Sequence, residues 1–141
     1  MPITAFSPTS NYARFTTLVY PQVTKVTNAV AAAVTFTVAE ILSGLINRDT
    51  LSSARADLLP TAAAIVAGIN GCQVGTSFRV MIRNTSAGAG SITLTTNTGL
   101  TLTGTMVIVF QQLKELLFIV TNVTPGSEAV EVISCGASVA I

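Results

Sequence analysis

Few residues in this chain are able to do chemistry. Its 141 residues include seven Lys or Arg, six Asp or Glu, two Cys, no His and no Trp. Without imidazole, no Ser-His-Asp or Cys-His nucleophile can be assembled, and no histidine-ligated zinc site. Cys72 and Cys135 have no histidine to draw off a proton. The opening Met1-Pro2-Ile3-Thr4-Ala5-Phe6 lacks the basic and apolar segments of a secretory signal, so the two cysteines read as free, partly buried thiols. Glu128 and Glu131 are the closest late carboxylates. Three apart on a strand, they point to opposite faces and do not form an acid/base pair. Asp49 and Asp57 sit near Arg48 and Arg55 and read as local ion pairs. Gly88-Ala89-Gly90 is followed by neither Lys-Ser/Thr nor a helix, and reads as a flexible hairpin loop rather than a phosphate cradle. The run Thr93-Leu94-Thr95-Thr96 and Thr101-Leu102-Thr103-Gly104-Thr105 has too few rungs for a water-ordering array and reads as the outer face of ordinary strands. The expectation is a protein that is not an enzyme and uses no cofactor or metal.

Composition narrows the partners. Half of the residues are hydrophobic, only 9% are charged, and the formal net charge is +1. No basic stripe tracks a phosphate backbone, so nucleic acid is not an expected partner. The longest apolar run, Ala29 to Val38, is cut by Thr35 and Thr37 and falls short of the roughly 20 residues of a spanning helix, so no membrane is expected. So apolar a chain with so few charges exposes adhesive surface as a monomer. The expected resolution is burial against copies of itself or a larger partner.

The elements divide into an arm and one β-rich domain. Residues 1–28 lack a clean period and are broken by Pro2, Pro8 and Pro21. They nevertheless hold Phe6, Tyr12, Phe15 and Tyr20, four of the eight aromatic residues. Together with Arg14, these are the expected docking residues of an extended arm that orders by lying on a partner. Residues 29–141 form the domain. Alternation predicts strands over 34–38, 54–59, 77–83, 91–96, 100–103, 106–110, 116–123 and 128–135. One helical turn is expected over 39–44, and Thr61 caps one short helix over 62–67. Pro125-Gly126 marks a type II turn that folds the last two strands into a hairpin. Residues 110–117 also fit a helical period, but Phe118-Ile119-Val120-Thr121 favours a strand. About eight strands with turns every 8 to 12 residues predict an all-β sandwich or jelly roll.

Several blocks carry a resemblance. They are Phe36-Thr37-Val38-Ala39-Glu40-Ile41-Leu42-Ser43-Gly44-Leu45-Ile46, Leu58-Leu59-Pro60-Thr61-Ala62-Ala63-Ala64 and Val74-Gly75-Thr76-Ser77-Phe78-Arg79-Val80-Met81-Ile82-Arg83-Asn84. Thr98-Gly99-Leu100-Thr101-Leu102-Thr103-Gly104 and Val120-Thr121-Asn122-Val123-Thr124-Pro125-Gly126-Ser127-Glu128-Ala129-Val130 follow. In this order the blocks resemble structural domains of tailed bacteriophages and large DNA viruses, over roughly residues 33–135. The resemblance implies a small jelly roll like the tumour-necrosis-factor-like trimers, serving as a capsid decoration (cement) protein or as the head of a fibre.

The strands 106–110 and 116–120 are apolar on both faces. We place the subunit contacts of such a trimer on Met106, Ile108, Phe110, Leu116 and Phe118. The expected partners are further copies of the chain and a major capsid protein, on the surface of a virion assembled from protein made in the host cytoplasm. The arm favours the decoration role. The alternative is a tail-fibre or receptor-binding head, although 141 residues leave no room for a long shaft.

Overall fold

A computed structural model describes residues 23–141. Among them are ten strands in two sheets and two short helices, so the fold is mostly β. In chain order the elements are β1 (Thr24–Ala29), α1 (Val38–Leu42), β2 (Gly44–Asp49), β3 (Arg55–Leu58), α2 (Ala62–Gly68), β4 (Ser77–Asn84) and β5 (Ile92–Thr95). Then follow β6 (Leu100–Thr103), β7 (Val107–Ile108), β8 (Gln112–Asn122), β9 (Ala129–Ser134) and β10 (Val139–Ala140). The large sheet runs β1-β2-β4-β8-β9-β6, with β10 also paired to β8; the small sheet runs β3-β5-β7.

The pairing is mixed. β4, β9 and β10 lie antiparallel to β8, and β7 lies antiparallel to β5. β1–β2, β2–β4, β3–β5 and β6–β9 are parallel. A jelly roll pairs its strands antiparallel, so the ladder pattern departs from that expectation. The reason lies in the connections: α1 carries the chain from β1 back to a parallel β2, and a strand of the other sheet plus α2 separates β2 from β4. The boundary expected at residue 28 also falls inside β1, whose six residues pair with Gly44–Asp49.

The helices begin where their caps are. At α1 the Glu40 amide donates to Thr37 Oγ1 (3.2 Å) while Glu40 Oε2 accepts from the Thr37 amide (2.7 Å). This capping box overrides the alternation that predicted a strand over 34–38; only Thr35 keeps a bridge, to Leu58. At α2 the Ala64 amide donates to Thr61 Oγ1 (3.1 Å). Among the described residues there are therefore two short helices, α1 at the turn expected over 39–44 and α2 at the helix expected over 62–67. The β8–β9 hairpin closes as expected, with the Ser127 amide donating to Thr124 O (2.9 Å) and Gly126 at φ +81 in the position that demands it.

One core fills the space between the two sheets and the helices. Ile46, Val80, Ile82, Leu116, Phe118, Val120, Val130 and Val132 from the large sheet meet Ile92, Leu94 and Ile108 from the small sheet, with Ile41 and Ile65 from the helices. Phe78 stacks on Phe118 with centroids 4.7 Å apart. The Gly88–Gly90 loop joins strands of different sheets and is packed rather than a free hairpin. Gly90 is buried, and a Cβ there would meet Ser53 O at 2.6 Å.

Two ionised groups enter this interior. Arg48 and Asp57 are both 0% exposed, joined by Nε–Oδ2 (2.7 Å) and Nη2–Oδ1 (3.2 Å). Arg48 also donates to Val30 O, Asp49 O and Ala32 O, so all five guanidinium N–H groups are satisfied. The expected local pairing is thus replaced by one bridge between sheets. Lys114 is also buried, with Nζ donating to Ser134 Oγ (3.1 Å) and Gly136 O (2.8 Å) and no carboxylate among the described residues in its reach. Burial pushes its ammonium below the ordinary value of 10.5.

Asp57→Ala leaves a buried cation unpaired and is expected to cost about 3–5 kcal/mol in urea unfolding. For Lys114 the folded state releases its proton at lower pH than the unfolded state. Stability therefore rises with pH between the lowered folded value and 10.5. Measured against Lys114→Met, the wild-type chain gains stability as pH climbs from 7 through that window, and the difference levels off above it.

Candidate functional site

The large sheet carries apolar residues on both faces, and its outer face also holds Lys25, Arg79, Arg83, Glu115 and Glu131. One face is the core. On the other, Leu45 of β2 is in register with Met81 of β4, which is in register with Glu115 of β8. Arg79 is in register with Leu117, and Leu117 with Ile133; Ser77 is in register with Ile119, and Ile119 with Glu131. Leu45, Met81, Leu117, Ile119 and Ile133 are half-buried, alternating along each strand with fully buried core residues. Among the described residues, both helices and the small sheet pack on the core face, and no element lies over this outer one.

Among the described residues, the ion pair at its centre is Arg79 with Glu115 (Nη1–Oε1 2.8 Å). Its side chains are 59% and 41% exposed, so it adds little to stability but fixes where the charges sit. The hydrogen bond to Glu115, and then the Glu115 charge, hold Arg79 even more firmly protonated. The surface thus offers apolar side chains around one self-neutralised ion pair, with Glu131 beside Ile119. That arrangement suits packing against another protein, and it places the exposed Cys135 thiol 4.0 Å from Arg79 Nη1.

The subunit-contact residues read from the sequence need correction. Met106, Ile108, Leu116 and Phe118 are 8%, 0%, 0% and 0% exposed and belong to the core of the single chain. They are not surface residues. On these strands the side chains that face outward are those of the other parity. β8 is apolar at both parities, and a one-residue change of phase exchanges its faces. Phe118 is held inward because it is in register with Phe78 and Val132, two other core-facing positions. In and beside β7 the exposed side chains are Val107 and Val109, not Met106 and Ile108. Phe110 is 40% exposed, in the turn before β8. The arm residues Phe6, Tyr12, Arg14, Phe15 and Tyr20 lie outside the described residues.

The other chemistry-bearing residues do not converge. Glu128 accepts from the Gly126 amide and Glu131 from Thr103 Oγ1. Cys72 is half-buried against the core, and Cys135 is exposed rather than partly buried; both are free thiols. The threonine runs fall on β5 and β6, which belong to different sheets and share no face. Compared with known proteins, the chain matches no family model, no curated protein and no solved structure.

Paired substitutions read the parity directly. Phe118→Ala is expected to cost about 3–5 kcal/mol by opening the core, and Leu117→Thr about 1 kcal/mol or less, in urea unfolding of the two variants.

Proposed function

We propose that this protein is a virion structural subunit, a homotrimer that decorates a capsid and strengthens its shell. The observation that carries the reading is the outer face of the large sheet around Leu117 and Ile119, half-buried and covered by no element among the described residues. A face of this kind supports association by hydrophobic burial, worth roughly 25 cal/mol per Å² of apolar area removed from water before ordering costs. The low charge content points the same way, because little repels one copy from the next.

From the viral jelly-roll trimers this reading carries over the mode of assembly, with sheet faces meeting around a threefold axis. It does not carry over their strand order. The segment before β1, with its four aromatic residues, then serves as the arm that grips the major capsid protein on the shell surface. No catalytic step belongs to this role, and its chemistry is adhesion.

Light scattering after size exclusion tests the assembly. The native chain is expected near 43.5 kDa, three times 14.5 kDa. The double substitution Leu117→Lys with Ile119→Lys is expected to lower this to the single-chain mass with an unchanged far-UV spectrum. A native mass of 14.5 kDa removes the trimer. Deleting residues 2–22, which spares β1, is expected to abolish capsid binding and keep the trimer. Binding to host cells in place of capsids identifies a fibre head instead.

A further inference from the structure

Between α2 and β4 the chain reverses at Ile69–Cys72. The Cys72 amide donates to Ile69 O (3.2 Å), which closes a turn with Asn70 and Gly71 at its two central positions. Gly71 stands at φ +70, in the left-handed region that the third residue of a type II turn requires. Both central residues are exposed, and a Cβ on Gly71 would meet nothing within 4 Å. Among the described residues, the Gly71 amide makes no backbone hydrogen bond and the Asn70 side chain makes none of any kind.

The other asparagines are held differently. Of seven in the chain, only Asn70 is followed by glycine. Asn28, Asn47 and Asn84 lie in β1, β2 and β4. Asn97 Nδ2 donates to Leu59 O (2.9 Å) while its Oδ1 accepts from the Thr98 amide (2.8 Å). Asn122 Oδ1 accepts from the Thr124 amide (2.9 Å). The residues that follow these two, Thr98 and Val123, are β-branched and crowd their own backbone nitrogens.

From this we infer that Asn70–Gly71 is a self-modification site, where the chain converts the asparagine to aspartate and isoaspartate with water as co-reactant. Base in the solvent takes the Gly71 amide proton, and that nitrogen attacks Asn70 Cγ. The new N–Cγ bond closes a five-membered succinimide. The Cγ–Nδ2 bond breaks, and Nδ2 leaves as ammonia with a proton from water. Water then adds to one ring carbonyl, whose bond to the ring nitrogen breaks. Opening at Cγ gives aspartate. Opening at the main-chain carbonyl gives isoaspartate, with a main chain one carbon longer. Nothing is oxidised or reduced. Glycine suits the step because it sets no side chain beside the attacking nitrogen and lets the peptide plane rotate. Asparagine is among the thermolabile residues for the same chemistry. Either product adds one ionised carboxylate and lowers the formal net charge of +1 by one. Isoaspartate also lengthens the link between α2 and Cys72, which packs against the core. The site is independent of the trimer reading, because α2 packs on the core face of the large sheet and the turn follows it.

The test holds the full native chain in warm, mildly alkaline buffer and follows the peptide that spans Asn70 by liquid chromatography and mass spectrometry. The expected result is loss of the Asn70 form into two products of equal mass, aspartate and isoaspartate, with ammonia released in equal amount. Conversion is expected to outpace that at Asn97 and Asn122 and to quicken as pH rises. Asn70→Gln cannot close a five-membered ring and is expected to stay unconverted with an unchanged far-UV spectrum. Gly71→Ala sets a methyl group beside the nitrogen and is expected to slow conversion to the level of Asn122. A native chain that stays intact while the urea-unfolded chain converts overturns the site, because the folded turn then blocks the attack. Aspartate without isoaspartate overturns the ring, and equal rates at Asn70 and Asn122 overturn the role of the turn.

Discussion

The fold depends on one buried ion pair. Arg48 and Asp57 lie at 0% exposure and join the two sheets, β2 of the large one to β3 of the small one. The guanidinium also gathers the carbonyls of Val30 and Ala32, and Asp57 Oδ1 accepts from the Val34 amide (3.0 Å). The segment between β1 and α1 is thus fastened by polar bonds to the same two residues. Desolvating two charges is expensive, and such a pair contributes specificity more securely than net stability. Here it sets which connection crosses which sheet, and so why β1 returns through α1 to a parallel β2. An apolar pair of equal volume could fill the same space but would leave those carbonyls and that amide without partners.

A second constraint is that the core has only one side. The small sheet and both helices cover one face of the large sheet, while β8 carries large apolar residues at both parities. A sheet with apolar residues on both faces is ordinarily covered on both. Among the described residues no element covers the other face, and the ion pair at its centre, Arg79 with Glu115, is self-neutralising.

Lys114 shows how far the interior tolerates polarity. It occupies an inward position of β8, in register with Ile82, and its ammonium is met only by a hydroxyl and a carbonyl. The Ser134 hydroxyl also donates to Gly136 O (2.9 Å), so the turn after β9 folds over the buried amine. The lysine ties down the chain just before β10. Polar groups at this end of the core, Arg48, Asn84, Ser86 and Lys114, thus organise the loops, while the rest of the core is apolar.

The sequence by itself determined the class of the fold and most of its elements. Strict alternation in Ser77–Arg83, the Pro125-Gly126 turn and the Thr61 cap each act over a few residues, and each appears where local physics puts it. The absence of histidine likewise settled which catalytic chemistries were closed to the chain. Tertiary structure alone decided the pairing partners, the parity of β7 and β8, and the fate of the charges. Val26 and Ile46 lie in strands whose alternation is diluted by Thr, Asn and Gly, so β1 and β2 carry no local signature and exist because each pairs with a neighbour. The Thr37–Glu40 capping box was readable as a helix start and marks where the strand pattern should have stopped. For β8 no local rule could choose a face, because either set of apolar residues fits a core. Register with Phe78 and Val132 made that choice. Arg48 found Asp57 rather than Asp49 because sheet packing, not sequence distance, brings side chains together.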